Sequence, residues 1–246
     1  MALLAPFRKC DNAPRGRSEA ELSMIQHLQN VLQPGELAQL RAIAGRSKFV
    51  DGRISNPNYT LKRNQQVAQT DPASVEPAAI LRDALFRHPD LRIAAFPKIM
   101  AMPTLARYEP GMSYGWHIDE ALFPSQPPMR SDISCTVFLT DPDEYDGGEL
   151  MISHGQHALP CKLPAGDAVL YPATTIHQVA PVTRGVRLVG ITWIQSYIPA
   201  MHQRELLHQV EEVRAIEMAR GNNAELRVLL LLESVRNNLF RLWSDA

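Results

Sequence analysis

The chain has 246 residues, with 25 Lys and Arg against 26 Asp and Glu and a formal charge of −1. That balance leaves no basic footprint for nucleic acid, and no apolar run exceeds five residues (Val228 to Leu232), far short of the roughly 18 of a membrane-spanning helix. Three scattered cysteines (Cys10, Cys135, Cys161) without a CxxC exclude a cysteine-built zinc site, argue against a disulfide framework and suit a reducing, cytoplasmic setting.

Residues 1–23 carry Arg8, Lys9, Arg15 and Arg17 among Pro and Gly, with no apolar core of a secretory signal. They are expected to be a flexible leader, with patterned sequence starting at Met24. Pro34-Gly-Glu opens a helix with an apolar stripe of Leu37, Leu40, Ile43 and Ala44, and Gly45 suits its exit. A turn-rich stretch leads into Tyr59 to Ala68, read as a strand or extended loop. Ala78 to His88 is helical, and Pro89 stops it.

From Pro97 short strands alternate with close turn signals, the texture of a β-sandwich or barrel. Ile99 to Tyr108 is the first strand, and a second carries Tyr114-Gly-Trp-His-Ile-Asp. Glu120 to Arg130, with Pro124, Pro127 and Pro128, is an irregular loop. Asp132 to Thr140 alternates Ile133, Cys135, Val137 and Leu139 on one face with Ser134, Thr136 and Phe138 on the other. Strands follow at Glu149 to Ser153, His157 to Leu163 and Ala168 to Tyr171. Ile176 to Val182 and Val186 to Tyr197 are expected to form a hairpin through Thr183-Arg-Gly. Beyond Pro199, Leu206, Val210, Val213 and Ile216 mark one helix, and Leu232, Val235, Leu239 and Leu242 a second. The chain thus divides into a leader (1–23), a helical or mixed support (24–96), a β core (97–199) and a C-terminal helical pair (200–246).

In an extended strand, residues i and i+2 share a face, so His117 and Asp119 project together. An imidazole and a carboxylate are two of three ligands in the facial triad that holds non-haem Fe(II) with open positions; the plain alternative is a hydrogen-bonded surface pair. Five of the other histidines (His27, His88, His154, His202 and His208) sit in expected helices or at a hairpin turn, and His157 flanks that same turn. His177 begins a strand inside the β core. In the expected hairpin, Arg187 lies about five residues from His177, roughly 16 Å at ~3.3 Å per residue, a gap that an arginine side chain plus a five-carbon diacid would span. A buried arginine also needs an anion. Arg184 competes for this role, but its turn position favours solvent. Trp193 shares the Arg187 face, Ser134 and Thr136 point to the lumen, and Arg130, Lys62 and Asn64 are read as surface pairs or as lining the mouth.

The set His117-x-Asp119, His177 and Arg187 resembles the Fe(II)/2-oxoglutarate-dependent dioxygenases of the prolyl-4-hydroxylase-like branch. Arg107-Tyr-Glu-Pro-Gly-Met-Ser-Tyr-Gly-Trp-His-Ile-Asp, Arg130-Ser-Asp-Ile-Ser-Cys-Thr-Val-Phe-Leu, Asp146-Gly-Gly-Glu-Leu, Trp193-Ile-Gln-Ser and Asn238-Leu-Phe-Arg-Leu-Trp are similar to bacterial PKHD-type hydroxylases. The resemblance implies an α+β fold with a mainly β, double-stranded β-helix (jelly-roll) core. It implies His117, Asp119 and His177 as Fe(2+) ligands, and Arg187 with Tyr108 on the cosubstrate 2-oxoglutarate. It further implies O2 as oxidant, L-ascorbate to keep the iron ferrous, a small-molecule or peptide substrate, and a link to iron uptake. Two other classes fit the residues alone: a cupin-like metal or ligand sensor, and a zinc hydrolase with the same ligands. The C-terminal stripes suit either the core or a second subunit, so a homodimer is open.

Overall fold

The computed structural model describes residues 25–245; the expected leader lies outside them. In chain order the described residues open with β1 (Gln26–Leu28), α1 (Pro34–Arg46), β2 (Phe49–Asp51), β3 (Lys62–Arg63) and β4 (Gln65–Val67). Next come α2 (Val75–Arg87), α3 (Pro89–Ala95), β5 (Pro97–Met100), β6 (Thr104–Tyr108) and β7 (Ser113–His117). Then follow β8 (Leu122–Phe123), β9 (Met129–Arg130), β10 (Ile133–Phe138), β11 (Tyr145–Gly147), β12 (Leu150–His154) and β13 (His157–Cys161). The remainder is β14 (Ala168–Pro172), β15 (His177–Val179), β16 (Val182–Gly185), β17 (Arg187–Ser196), α4 (Met201–Ala219) and α5 (Leu226–Trp243).

Every strand pairing is antiparallel. The large sheet runs β1-β14-β10-β17-β6-β4-β2, with β5 also on β17, and the small sheet runs β13-β12-β15-β7-β3. Two apolar layers result, as a sheet covered on both faces requires. Between the sheets lie Ala106, Phe138, Leu150, Ile152, Val169 and Val189. On the outer face of the large sheet, Leu40 and Ile43 of α1, Leu81 and Leu85 of α2 and Leu91 of α3 pack on Leu105, Cys135, Val137, Leu170 and Leu188. The alternation expected in β10 is what divides its residues between these layers. This is the jelly-roll architecture with helical flanks, and no helix among the described residues is long and apolar enough to cross a membrane.

Glycine at position 190 sets the distance between α2 and the sheet: a Cβ there would meet Leu81 Cδ1 at 2.6 Å. The Gln33 N–H donates to Glu36 Oε2 (2.8 Å), a capping bond at the start of α1, and Glu36 also takes both Arg87 terminal nitrogens, tying α1 to α2.

Several expectations change. Pro89 ends α2 and also starts α3, because proline costs nothing in a first helical turn. The Tyr59 to Ala68 segment supplies β3 to the small sheet and β4 to the large one. His27 lies in β1, where its Nε2 meets Asp167 Oδ2 at 2.7 Å, rather than in a helix. The hairpin expected of His177 and Arg187 does not form: β15 pairs with β12 and β7, whereas β17 pairs with β10, β6 and β5. Thr183-Arg-Gly belongs instead to β16, which pairs with β11. On the C-terminal helices, Leu206, Val213, Ile216, Val235 and Leu242 are exposed. The buried side of α4 carries Arg204, Leu207, His208 and Glu211, and Leu239, Phe240 and Trp243 of α5 pack on Phe96, Ile198 and Leu207.

Candidate metal centre

His177 stands directly opposite His117 in the antiparallel register of β15 and β7. Cross-strand partners approach closely, and the two rings lie 4.2 Å apart between centroids. Asp119 follows two residues after the end of β7, and its Oδ2 is 3.9 Å from His177 Nε2. One donor atom from each of His117, Asp119 and His177 lies within 4.8 Å of the others. Sequence reasoning named all three, but the hairpin that introduced His177 is replaced by this cross-strand pairing.

Both histidines are oriented by their own chain. His117 Nδ1 faces the Gly115 carbonyl (2.8 Å) and His177 Nδ1 the Thr175 carbonyl (2.9 Å). A carbonyl only accepts, so each Nδ1 carries the proton and each Nε2 keeps a free lone pair. Burial, and then the proximity of His177, push the His117 pKa down to about 4, which keeps the ring neutral near pH 7. Tyr114 stacks on His117 at 3.6 Å, and Tyr171 meets His177 edge-on at 5.0 Å. Asp119 Oδ2 accepts a short hydrogen bond from the Ser134 hydroxyl, delivered across from the large sheet. The carbonyl partners leave no mark in a sequence. Ser134 left one in its lumen-facing parity.

The cluster opens into a cavity of about 590 Å³, within the range of small-molecule sites. At its other wall sits Arg187, 1% exposed, paired in register with Tyr108 on β6. Its guanidinium lies 5.0 Å from the Tyr108 ring and 5.7 Å from the Phe138 ring. Among the described residues it has no carboxylate partner, and its Nε makes no hydrogen bond. An unpaired buried cation is costly, so this wall is built for an anion. Gly148 makes room for it: with φ at +67°, a Cβ there would press on Val182 at 2.8 Å and on Arg187 Cδ at 3.2 Å. Arg184 is exposed and bonds to Asp146, which removes it from the cavity.

Trp193, Ser134 and Thr136 line the cavity as their strand parity implied. Arg130 does not; it pairs with Asp132 and Asp245. Lys62 and Asn64 are buried cavity walls rather than surface pairs. Burial lowers the Lys62 pKa to about 8, against the opposing pull of Asp119 and Asp51.

The description "2OG-Fe(II) oxygenase superfamily" matches residues 103–195. A PKHD-type hydroxylase from Sphingopyxis alaskensis is 43% identical over 218 residues, 88% of this chain and 98% of that protein. Another from Burkholderia ambifaria is 41% identical over 229 residues, 90% of this chain and 100% of that protein. Among solved structures, a prolyl hydroxylase from Trichoplax adhaerens, in complex with a hypoxia inducible factor peptide fragment, has a TM-score of 0.55 at 13% identity. That likeness covers 75% of this chain and 87% of that one. HygX from Streptomyces hygroscopicus, with nickel and 2-oxoglutarate bound, has a TM-score of 0.51 at 12% identity, covering 74% and 89%. These two likenesses concern the fold alone.

Proposed function

Because this chain belongs to the PKHD-type hydroxylases of the 2OG-Fe(II) oxygenase superfamily, we propose that His117, Asp119 and His177 hold its iron(II). Arg187 and Tyr108 then hold the distal carboxylate of 2-oxoglutarate. The observation that carries this reading is the convergence of two Nε2 atoms and one carboxylate within 4.8 Å, with both Nδ1 atoms already committed to carbonyls. Two imidazoles and a carboxylate are the donor set of non-haem iron(II) centres that keep positions open. The buried Arg187, lacking an anion, offers the planar fork that suits a carboxylate.

Iron(II) with 2-oxoglutarate and O2 supplies the oxidising equivalent for hydroxylation, with succinate and CO2 as by-products. The protein's own contribution is ligation, orientation and shelter. The Gly115 and Thr175 carbonyls fix the tautomer of each histidine, and Ser134 fixes the carboxylate. Tyr108 and Phe138 form the aromatic walls beside Arg187.

The finer parts of the proposal are these. Residues 97–199 form the catalytic core, supported by 24–96 and 200–246. Ascorbate keeps the iron ferrous, the substrate is a small molecule or peptide, and the reaction serves iron uptake, as the sequence resemblance implies. A cytoplasmic setting is supported by Cys135, a buried thiol in no disulfide. A homodimer through the outer faces of α4 and α5 is supported by their exposed Leu206, Val213, Ile216, Leu230, Val235 and Leu242.

The test is purification without oxygen, followed by 2-oxoglutarate consumption with added metal. Fe(II) should restore succinate formation and Zn(II) should not, and Asp119→Ala should reduce it to background with the fold intact by circular dichroism. No succinate above background with Fe(II), across candidate substrates and cell extract, sinks the reading.

A further inference from the structure

The cavity has a second buried cation that the iron and 2-oxoglutarate do not explain. Along residues 62–66 the side chains alternate, and the buried set is Lys62, Asn64 and Gln66, each 5% exposed, while Leu61 and Arg63 face solvent. A strand that turns its polar face inward reverses the usual pattern. All three line the cavity that contains His117, Asp119 and His177. The segment closes that cavity on one side, with β3 on the edge of the small sheet and β4 in the large one.

Lys62 Nζ donates to Ser55 Oγ at 2.6 Å, a neutral partner for a group with three donors. Among the described residues no carboxylate forms an ion pair with it. Its Nζ lies 5.1 Å from the centroid of the Tyr114 ring, whose own stacking partner is His117. The ammonium is therefore one aromatic ring from the metal cluster. Asn64 and Gln66 line the same cavity beside it. A single point charge flanked by side-chain amides suits a monoanionic carboxylate better than a phosphate, which engages several cations or a helix N-terminus. Among the exposed lining residues Ile54 and Ile118 are apolar, whereas Ser55, Gln69, Thr70, Glu120 and Ser125 are polar.

Resting on the oxygenase reading, we infer that Lys62, with Asn64 and Gln66, is a carboxylate subsite for the compound to be hydroxylated. That compound therefore carries a carboxylate. Arg187 takes the cosubstrate and Lys62 takes the substrate, so the two acids are sorted to different walls.

The experiment uses the Fe(II)-loaded protein saturated with 2-oxoglutarate under anaerobic conditions. A panel of N-acetylated amino acids, each matched with its C-terminal amide, is titrated calorimetrically into wild type, Lys62→Met and Lys62→Gln. Binding by acids at least tenfold tighter than by their amides, lost in both variants while their thermal melts stay cooperative, is the expected result. Acids and amides that bind alike, acids that bind the variants as well as wild type, or a panel with no binder all overturn it. So does a Lys62→Met protein whose main defect is weaker 2-oxoglutarate binding, which would give the lysine to the cosubstrate. A preliminary titration of 2-oxoglutarate into the Fe(II) protein separates the two readings. No heat there fails the oxygenase assignment itself.

Discussion

His117 and His177 each donate a hydrogen bond from Nδ1–H to the carbonyl two residues earlier, so their orientation is written into their own strands. Asp119 has no such local support and depends on Ser134 from the opposite sheet. Ser134→Ala should therefore weaken iron binding by roughly 10–100-fold, the usual effect of losing a group that orients a ligand, with secondary structure unchanged. An iron titration followed by 2-oxoglutarate turnover checks it, and affinity within twofold of wild type would make the hydroxyl a bystander. Arg187→Met keeps the buried stem and removes the charge. Truncating a buried charge partner costs about 2–5 kcal/mol, so the 2-oxoglutarate requirement should rise by roughly 30- to 4,000-fold. At this scale the convergence of His117, Asp119 and His177 was legible, because their side chains carry metal-binding chemistry, whereas Tyr108 came only with the family resemblance. Lys62 and Asn64 were left between surface pairing and the cavity mouth, since polar residues in an irregular-looking segment give no sign of facing inward.

The elements show why strand identity is easier to read than strand partnership. Parity correctly divided β10 between the helix-facing and lumen-facing layers, since alternation is local. The supposed hairpin of His177 and Arg187 failed because Thr183-Arg-Gly, read as its turn, is part of β16, which pairs with β11 almost forty residues upstream. The C-terminal stripes, which suited either the core or a second subunit, are mostly exposed; α4 buries Arg204 and Glu211 instead, and each has its own partners. Arg204 donates to the carbonyls of Ile198 and Pro199, and Glu211 holds Arg214 and Arg236. The contact of α2 with β17 offers a clean test of packing. Gly190→Val should destabilise the protein by about 1–3 kcal/mol through overpacking against Leu81. Chemical denaturation would measure it, and a loss below 0.5 kcal/mol would mean that α2 yields freely.

For the whole molecule, the outward apolar faces of α4 and α5 make association the expectation. Val235→Asp should shift sedimentation toward a single-copy species if two chains pair there; a wild type that sediments as one copy at micromolar concentration removes the homodimer. The arrangement of the two sheets carries a further consequence. His117 and His177 belong to the small sheet, whereas Arg187 belongs to the large one. In the proposed binding mode, a 2-oxoglutarate held at both ends would work as a tie-beam, joining two walls that otherwise meet through side-chain packing and the Ser134–Asp119 hydrogen bond. Its binding should be felt mechanically, as slower hydrogen exchange in β7, β15 and β17 together. A ligand at 100 times its dissociation constant adds about 2.7 kcal/mol of stability. In Arg187→Met the beam is cut at one end. Protection should then remain near the two histidines and fade along β17; that pattern would make the cosubstrate a structural member of the barrel as well as a reactant.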